Sequence, residues 1–395
     1  AGGGGSAGGG AAGGGGTASG GGTGAAGTFV HPGVMVDKAQ LDFVKAQIAA
    51  KKDPWYSAFN STKGSALASL SYKPSPYSDV ECGSASQNPD VGCQQEKDDS
   101  AAAYTQALLW YYTGNTTYAQ NAINIMNAWS SMLTKHGASN APLQSAWAAS
   151  QWPRAGEIIK YTYTGWAPAD AAKFGAMLKN VYSPETINGS NSNGNWELAM
   201  IEANIGIAVY LDDHTGFNNA VAMWKKRTPA YIYLTSDGAT PVPPETGDKN
   251  SASALNGFWY NAPAYLNGMA QETCRDLGHV QYGFASMTNV AETARIQGVD
   301  LYSLEKTRMA AGYEFAAKYI NGSTANTSSI CGSHELVSVS ADAMWEIGYN
   351  ALNGRLGMAL PQTLKLIGQI RPTWQDHMMA WETLTHAQTG MTGIQ

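Results

Sequence analysis

From Phe29 onward, apolar residues recur three and four positions apart in one segment after another, and they rarely alternate with polar ones. The first spacing is that of a helix face, whereas alternation would mark a strand. Leu41, Val44 and Ile48 form such a stripe behind Asp37, whose carboxylate suits the free N–H groups at a helix start. Asp98-Asp99-Ser100 opens a run through Tyr104, Leu108 and Tyr111, and Gly114-Asn115 breaks it. A further stripe follows through Ala119, Ile123, Met126 and Trp129. The same periodicity predicts helices over 143–163, 168–181, 195–211, 217–226, 270–297, 303–319, 338–353 and 361–369. Residues 54–97, rich in Pro, Ser, Tyr and Gly, read as irregular, and 184–194 and 235–262 read as long polar loops. Helical hairpins in series predict an all-α fold, an (α/α) toroid or incomplete barrel. An armadillo-like solenoid would carry a sequence period that is missing here. Long loops on such a scaffold are where binding sites sit.

Residues 1–27 are almost entirely Gly, Ala, Ser and Thr and read as a flexible linker or tail, dispensable for chemistry. Residues 28–395 then form one domain of catalytic size. There is no run of 18 apolar residues, so no membrane span is expected. The net charge of -6 offers no basic surface for nucleic acid. It leaves an anionic substrate open, because the cations lining a cleft set the local field. Twelve Trp and 20 Tyr against only 14% charged residues suit a protein that handles sugars, although each ring singly also suits a helical core. Cys82 and Cys93 flank a short loop and form the natural local pair, which leaves Cys274 for Cys331. An even count in a loop setting favours bridges over free thiols. A mature, secreted monomer is expected.

One segment concentrates chemistry: Gln271-Glu-Thr-Cys-Arg-Asp-Leu-Gly-His-Val-Gln-Tyr282. Arg275, His279 and Tyr282 are spaced four and three apart, so on a continuous helix they share an arc of about 60°. Three such groups make a poor core face, since each needs polar partners when buried. They make a good face for removing a proton beside a carboxylate, with Arg to bind the acid group and Tyr or His to move protons.

This segment resembles the alginate lyase-like polysaccharide lyases. The likeness extends to His31-Pro-Gly33, Asn195-Trp-Glu-Leu-Ala199, Ile296-Gln-Gly-Val-Asp-Leu-Tyr302, Trp345-Glu-Ile-Gly-Tyr349 and Arg371-Pro372. The resemblance implies an (α/α) toroid that cleaves uronic acid polysaccharides by β-elimination. It implies that Asn195 and Arg275 neutralise the substrate carboxylate, that Tyr282 acts at the scissile bond and that a His assists. In that family the His directly follows the Asn, whereas Trp196 follows Asn195 here, so the role falls to His279 or to a His on another loop.

The chemistry asks for these groups. The C5 proton of a uronate is hardly acidic while the adjoining carboxylate keeps its charge, so donors on that carboxylate come first. One well-placed donor is worth about 3–4 kcal/mol of barrier. Tyr282 could then serve as base and acid if the Arg275 cation lowers its pKa, with His279 accepting a proton or holding the phenolate. Trp152 and Arg154 are expected to stack on and pair with a neighbouring uronate, and Trp259, Tyr260 and His334 to line the groove. Glu272, Asp276 and Glu346 read as orienters of the basic residues. No metal motif, phosphate loop or nucleophile elbow is present in the sequence, and no cofactor is expected. The expected partner is an anionic uronate polysaccharide, either alginate (polymannuronate) or a β-1,4-glucuronan. The rival readings are a toroidal glycoside hydrolase using a pair such as Glu157 and Glu272, and a glycan-binding protein without chemistry.

Overall fold

A computed structural model describes residues 27–84, 88–245, 247–323, 327–332, 336 and 339–387. The Gly-rich segment assigned to residues 1–27 lies outside the described residues, apart from Gly27.

Four long helices form an inner layer in chain order, each packed on the next: Cys93–Thr113, Ala141–Thr162, Gly194–Tyr210 and Leu277–Ile296. Outer helices back them. Thr116–Met132 covers the first, His214–Tyr231 the third and Leu301–Ile320 the fourth. Sequence pattern separates the layers. Thr116–Met132 buries the stripe of Tyr118, Ala119, Ala122, Ile123, Ile125, Met126 and Trp129, while Gln120 and Asn124 face solvent. In Gly194–Tyr210 every residue but Trp196 is buried, as an all-round apolar helix requires.

Short elements close the ring. Trp345–Tyr349 packs on Leu277–Ile296, and Glu382–His386 packs on Trp345–Tyr349. Lys38–Ala49 then joins Glu382–His386 to Cys93–Thr113. A hydrogen bond of 2.7 Å from the Gln40 side chain to the Thr385 carbonyl ties the two ends of the circuit. Asp37 caps its helix as expected, accepting from the Gln40 N–H at 2.7 Å. The all-α toroid is therefore the architecture, with two small sheets added. Asp79–Cys82 pairs antiparallel with Asp90–Val91 and parallel with Lys135–Gly137. Gln375–Asp376 and Met379–Ala380 form a tight hairpin.

Three predicted elements shift. The irregular stretch 54–97 contains the helix Trp55–Gly64 and the start of the helix at Cys93. The helix expected over 338–353 begins at Trp345. The helix expected over 270–297 begins only at Leu277, because Asp276 caps it by accepting the His279 N–H at 2.8 Å. Residues 270–276 form a buried turn instead, bridged to Ile232 through Ala270.

Both expected disulfides are formed, Cys82–Cys93 and Cys274–Cys331. The second ties this turn to a segment 57 residues downstream. Closing a loop of that length restrains the unfolded chain by about 4 kcal/mol in the chain-entropy picture. Replacing Cys274 and Cys331 together by Ser is expected to lower unfolding stability by about 2–4 kcal/mol. Denaturant titration reads this directly, and an unchanged midpoint would show that the bridge carries no stability.

Candidate active site

The turn before Leu277–Ile296 is held by its backbone. Tyr233 N–H donates to the Met269 carbonyl at 2.9 Å, and Gln271 N–H donates to the Tyr231 carbonyl at 2.8 Å. These bonds carry two side chains to the start of Gly194–Tyr210, where free N–H groups need acceptors. Gln271 Oε1 takes the Gly194 N–H at 2.9 Å, and Glu272 takes the Asn195 N–H at 3.1 Å.

Glu272 is fully buried and is the node of the site. Its carboxylate also accepts the Asn195 side-chain amide at 2.6 and 2.8 Å, the Tyr231 hydroxyl at 3.0 Å and the Arg275 guanidinium at 3.0 Å. Two glycines make room for Tyr231. A Cβ at Gly194 would lie 2.1 Å from the Tyr231 ring, and one at Gly283 would lie 2.3 Å from its hydroxyl oxygen. Arg275 keeps 30% of its side chain exposed. The Tyr260 hydroxyl donates to Asn193 Oδ1 at 2.9 Å and also meets the Arg275 guanidinium. Burial raises the Tyr260 phenol, the Glu272 charge adds to this, and Arg275 opposes both.

Asp276 links this node to the imidazole. One of its oxygens caps the helix, and the other holds His279 Nδ1 at 2.7 Å and lies 4.0 Å from Arg275 Nε. Burial works against the charge of Asp276, but the His279 hydrogen bonds prevail and keep its carboxyl below the usual range. Nδ1 is so held, and among the described residues Nε2 of His279 makes no hydrogen bond. The Tyr282 ring stands edge-on to His279, 6.0 Å between centroids. Among the described residues its hydroxyl makes no hydrogen bond. Tyr231 completes the connection, because its hydroxyl also lies 3.3 Å from the His279 carbonyl. Asn195, Arg275, His279 and Tyr282 thus belong to one connected cluster.

A second imidazole reaches Tyr282 from elsewhere in the chain. His377 lies at the tip of the 375–380 hairpin with φ of 47°, a conformation uncommon outside glycine. Its ring is 5.4 Å from that of Tyr282 and 4.5 Å, edge to face, from Trp147. Asp376 holds His377 Nδ1, and Lys97 Nζ lies 3.5 Å from Nε2. An ammonium can only donate, so Nε2 carries the lone pair and Nδ1 the proton. Burial raises the Tyr282 phenol well above its usual value, and the charges of Asp376, Asp342 and Asp276 reinforce the shift. Asp342 itself is pushed up to about 7 by burial and by repulsion from Asp376 and Asp276.

Several sequence expectations change. Arg275 precedes the helix, so it does not share a helix face with His279 and Tyr282. It does not lower the phenol, whose surroundings are buried and anionic. The Asn195 amide faces Glu272, and the side chain is buried. Trp152 is a core residue whose indole donates to the Tyr182 hydroxyl at 2.8 Å. Arg154 is buried against Glu202 and donates to the Met378 carbonyl at 3.0 Å, so it anchors the hairpin from behind. Trp259 is fully buried. Both indoles are fully buried, so neither shows a face to a sugar. His334 lies outside the described residues. Glu346 pairs with Arg371 and orients no group of the cluster. Glu157 is held by His31 at 2.8 Å and by Gly33 N–H at 3.0 Å, and it shares no partner with Glu272. Sequence reasoning missed Lys97, Trp147, Tyr231, Asp376 and His377. Only Asp376-His377 carries a local signal, an acid beside an imidazole, and nothing in the sequence places it near Tyr282. A separate hollow of about 630 Å³, lined by Lys160, Trp166, Lys179 and Tyr210 among others, shares no residue with the cluster. Among the described residues no group of three His, Cys, Asp or Glu is placed to hold a metal ion.

Known proteins match this arrangement at the level of fold. Alginate lyase A1-III from Sphingomonas species A1 superposes with a TM-score of 0.65 at 16% identity, covering 91% of this chain and 97% of that one. A Tyr-to-Phe variant of A1-III complexed with tetrasaccharide gives 0.65 at 18% identity, covering 92% and 98%. An alginate lyase from Bacteroides ovatus gives 0.55 at 12% identity, covering 91% and 100%. No curated protein matches the sequence. The alginate lyase family model, in contrast, matches residues 69–326, which include Asn195, Arg275, His279 and Tyr282. The chain belongs to the alginate lyase family of polysaccharide lyases.

Proposed function

We propose that this polysaccharide lyase cleaves a 1,4-linked uronate polymer, alginate or a β-1,4-glucuronan, by β-elimination at the Glu272-centred cluster. The observation that carries the reading is the single buried carboxylate that gathers Asn195, Tyr231 and Arg275 beside the His279–Tyr282 pair. Glu272 binds one edge of the guanidinium, and the exposed part of Arg275 meets the substrate carboxylate. A planar, permanently charged fork suits that task and stabilises the enolate-like charge as it forms. The Asn195 amide is committed to Glu272, so its part is to hold that carboxylate, and through it Arg275, in place.

The protons then have defined routes. His279 Nε2 accepts the C5 proton, and Asp276 stabilises the imidazolium, as an acid–imidazole dyad does. The electron pair of the C5–H bond becomes the C4–C5 double bond, and the C4–O4 bond breaks. Tyr282, kept protonated by burial and by three nearby carboxylates, gives its proton to O4. The proton on His279 returns to the phenolate, and the site is restored. A hydrolase reading gains less support, since Glu157 and Glu272 are held by separate partners and share none. Two disulfides support action outside the cell, and no helix of the described residues is long and apolar enough to cross a membrane.

Polymannuronate, polyguluronate and glucuronan distinguish the substrates. At least one is expected to yield product absorbing near-ultraviolet light, the mark of a double bond conjugated to a carboxylate. Reducing ends without that absorbance would establish hydrolysis instead. Tyr282→Phe is expected to lower kcat by about 10²-fold or more with KM nearly unchanged, and wild-type turnover in this variant would remove Tyr282 from the mechanism. Glu272→Gln sets an amide donor against the Asn195 amide and frees Arg275. It is expected to lower kcat about 10²-fold and to destabilise the fold by about 3 kcal/mol. Kinetics and denaturant titration of this one variant check both halves, and retention of full activity would show that the node is not needed.

A further inference from the structure

His31-Pro-Gly33 takes no part in the Glu272 cluster. Asn195 and His279 stand at the N-terminal ends of their helices, and residues 29–36 cross the C-terminal ends, about 25 Å away. Gln297, just past Leu277–Ile296, takes the Val30 N–H at 2.8 Å and donates to the Val30 and Gly33 carbonyls at 3.0 and 3.1 Å. No side chain fits at Gly33, where a Cβ would lie 2.0 Å from the Val30 carbonyl oxygen. Val34, Met35 and Val36 are buried, and the Met35 N–H donates to Thr293 Oγ1 at 3.3 Å.

The His31 ring is held on both edges. Nδ1 lies 2.8 Å from Glu157 Oε2, which also accepts the Gly33 N–H at 3.0 Å, and Nε2 lies 3.1 Å from Asp212 Oδ1. Its face stacks on Tyr161, 4.2 Å between centroids and 8° from parallel. Carboxylate oxygens accept, so both ring nitrogens donate and the ring is an imidazolium. Removing one proton sets a lone pair against a carboxylate oxygen, whichever nitrogen gives it up. Glu157 is fully buried and Asp212 is exposed, so the contact has one dry end and one wet end.

The remaining groups nearby leave His31 as the one that switches. From Ala141–Thr162, Lys160 sets its ammonium 5.0 Å from the Tyr161 ring centroid. Burial, followed by the Glu157 and Asp212 charges, keeps the Tyr161 phenol protonated, and burial does the same for Tyr210 at the end of Gly194–Tyr210. Asp213 caps the next helix, whose His214 stacks on Phe29 at 4.3 Å. Leu277–Ile296 meets the segment through the neutral Thr293, and its Arg295 is paired with Glu292. His386, 3.1 Å from the Met35 carbonyl, is pushed down to about 4 by burial and stays neutral. Burial also pulls His31 down, but the bonds and charges of Glu157 and Asp212 prevail and raise it above its ordinary value.

We propose that His31 is a proton-operated latch: doubly protonated, it fastens residues 29–33 across the ends of the inner helices, and singly protonated it lets them go, with the buried Val34–Val36 as the pivot. A group raised in the folded chain contributes in full below its unfolded value, about 6.5, and the contribution is lost as pH rises through the folded value. Across that interval the latch opens about tenfold more often per pH unit. Nothing in this device depends on the chemistry at the opposite ends of the helices.

Two measurements on the full chain test it. In an NMR titration the His31 imidazole is expected to lose its second proton above the range of a solvent-exposed His, and a midpoint at or below that range would overturn the latch. Amide hydrogen exchange, corrected for the intrinsic effect of pH, is expected to show Val30 and Gly33 losing protection between about pH 6 and about pH 9, while Met35 and the amides of Gly194–Tyr210 keep theirs. Constant protection at Val30 and Gly33 would overturn the latch, and so would a parallel loss at Met35 and in the helix. Asp212→Asn removes only the exposed carboxylate and keeps a residue that tolerates the φ of 56° there. It is expected to move the opening to lower pH. His31→Gln is expected to leave Val30 and Gly33 less protected at about pH 6 and to abolish the pH dependence. Wild-type pH dependence in a folded His31→Gln chain would assign the effect to another group and overturn the proposal.

Discussion

A carboxylate fully removed from water is costly unless each oxygen finds donors, and Glu272 imposes that condition on everything around it. It is met by a guanidinium, a phenol, a side-chain amide and a backbone N–H from three separate stretches of chain. Because the donors arrive from different elements, their positions become mutually dependent. Tyr231 reaches the carboxylate only because residues 194 and 283 lack side chains, and Arg275 is placed by a turn whose backbone hangs from residues 231 and 233. The geometry around the Arg275 guanidinium is therefore set by the interior of the protein. Such a site needs little rearrangement when substrate arrives, which is the condition for electrostatic catalysis to be effective.

The surroundings of Tyr282 obey a different rule. Three carboxylates and partial burial keep its proton on, while imidazoles held by Asp276 and Asp376 stand at its edges. One short stretch of sequence thus supports two opposite demands. It places a partly exposed cation at Arg275 and an anionic surround at the neighbouring phenol. Asp276 separates the two, facing Arg275 at 4.0 Å and His279 at 2.7 Å.

Much of this was legible in the residue pattern, and the failures have physical causes. Stripes such as that of Thr116–Met132 declare the outer helices, because one face must stay wet. Inner helices declare their existence but not their orientation, since they are buried all round. Trp147 and Trp152 lie five residues apart on one such helix and so point about 140° apart. Nothing in the local sequence says which of them is buried, and the structure buries Trp152 and leaves Trp147 partly exposed beside His377. The Arg, His and Tyr spacing picks out residues that the structure does gather, but through a turn and a helix start rather than one helix face. Asp276 is as good a helix cap as Asp37, and reading it so would have placed Arg275 outside the helix. His377 was illegible because its neighbours, Lys97, Trp147 and Tyr282, come from three distant helices, and such contacts leave no periodic trace.

The circuit of helices is closed by its latest members. Glu382–His386 completes the ring against Lys38–Ala49, and the hairpin just before it brings His377 to Tyr282. The ring is therefore open until residues 382–386 meet residues 38–49. Until the hairpin is in place, the phenol lacks one of its two imidazole neighbours.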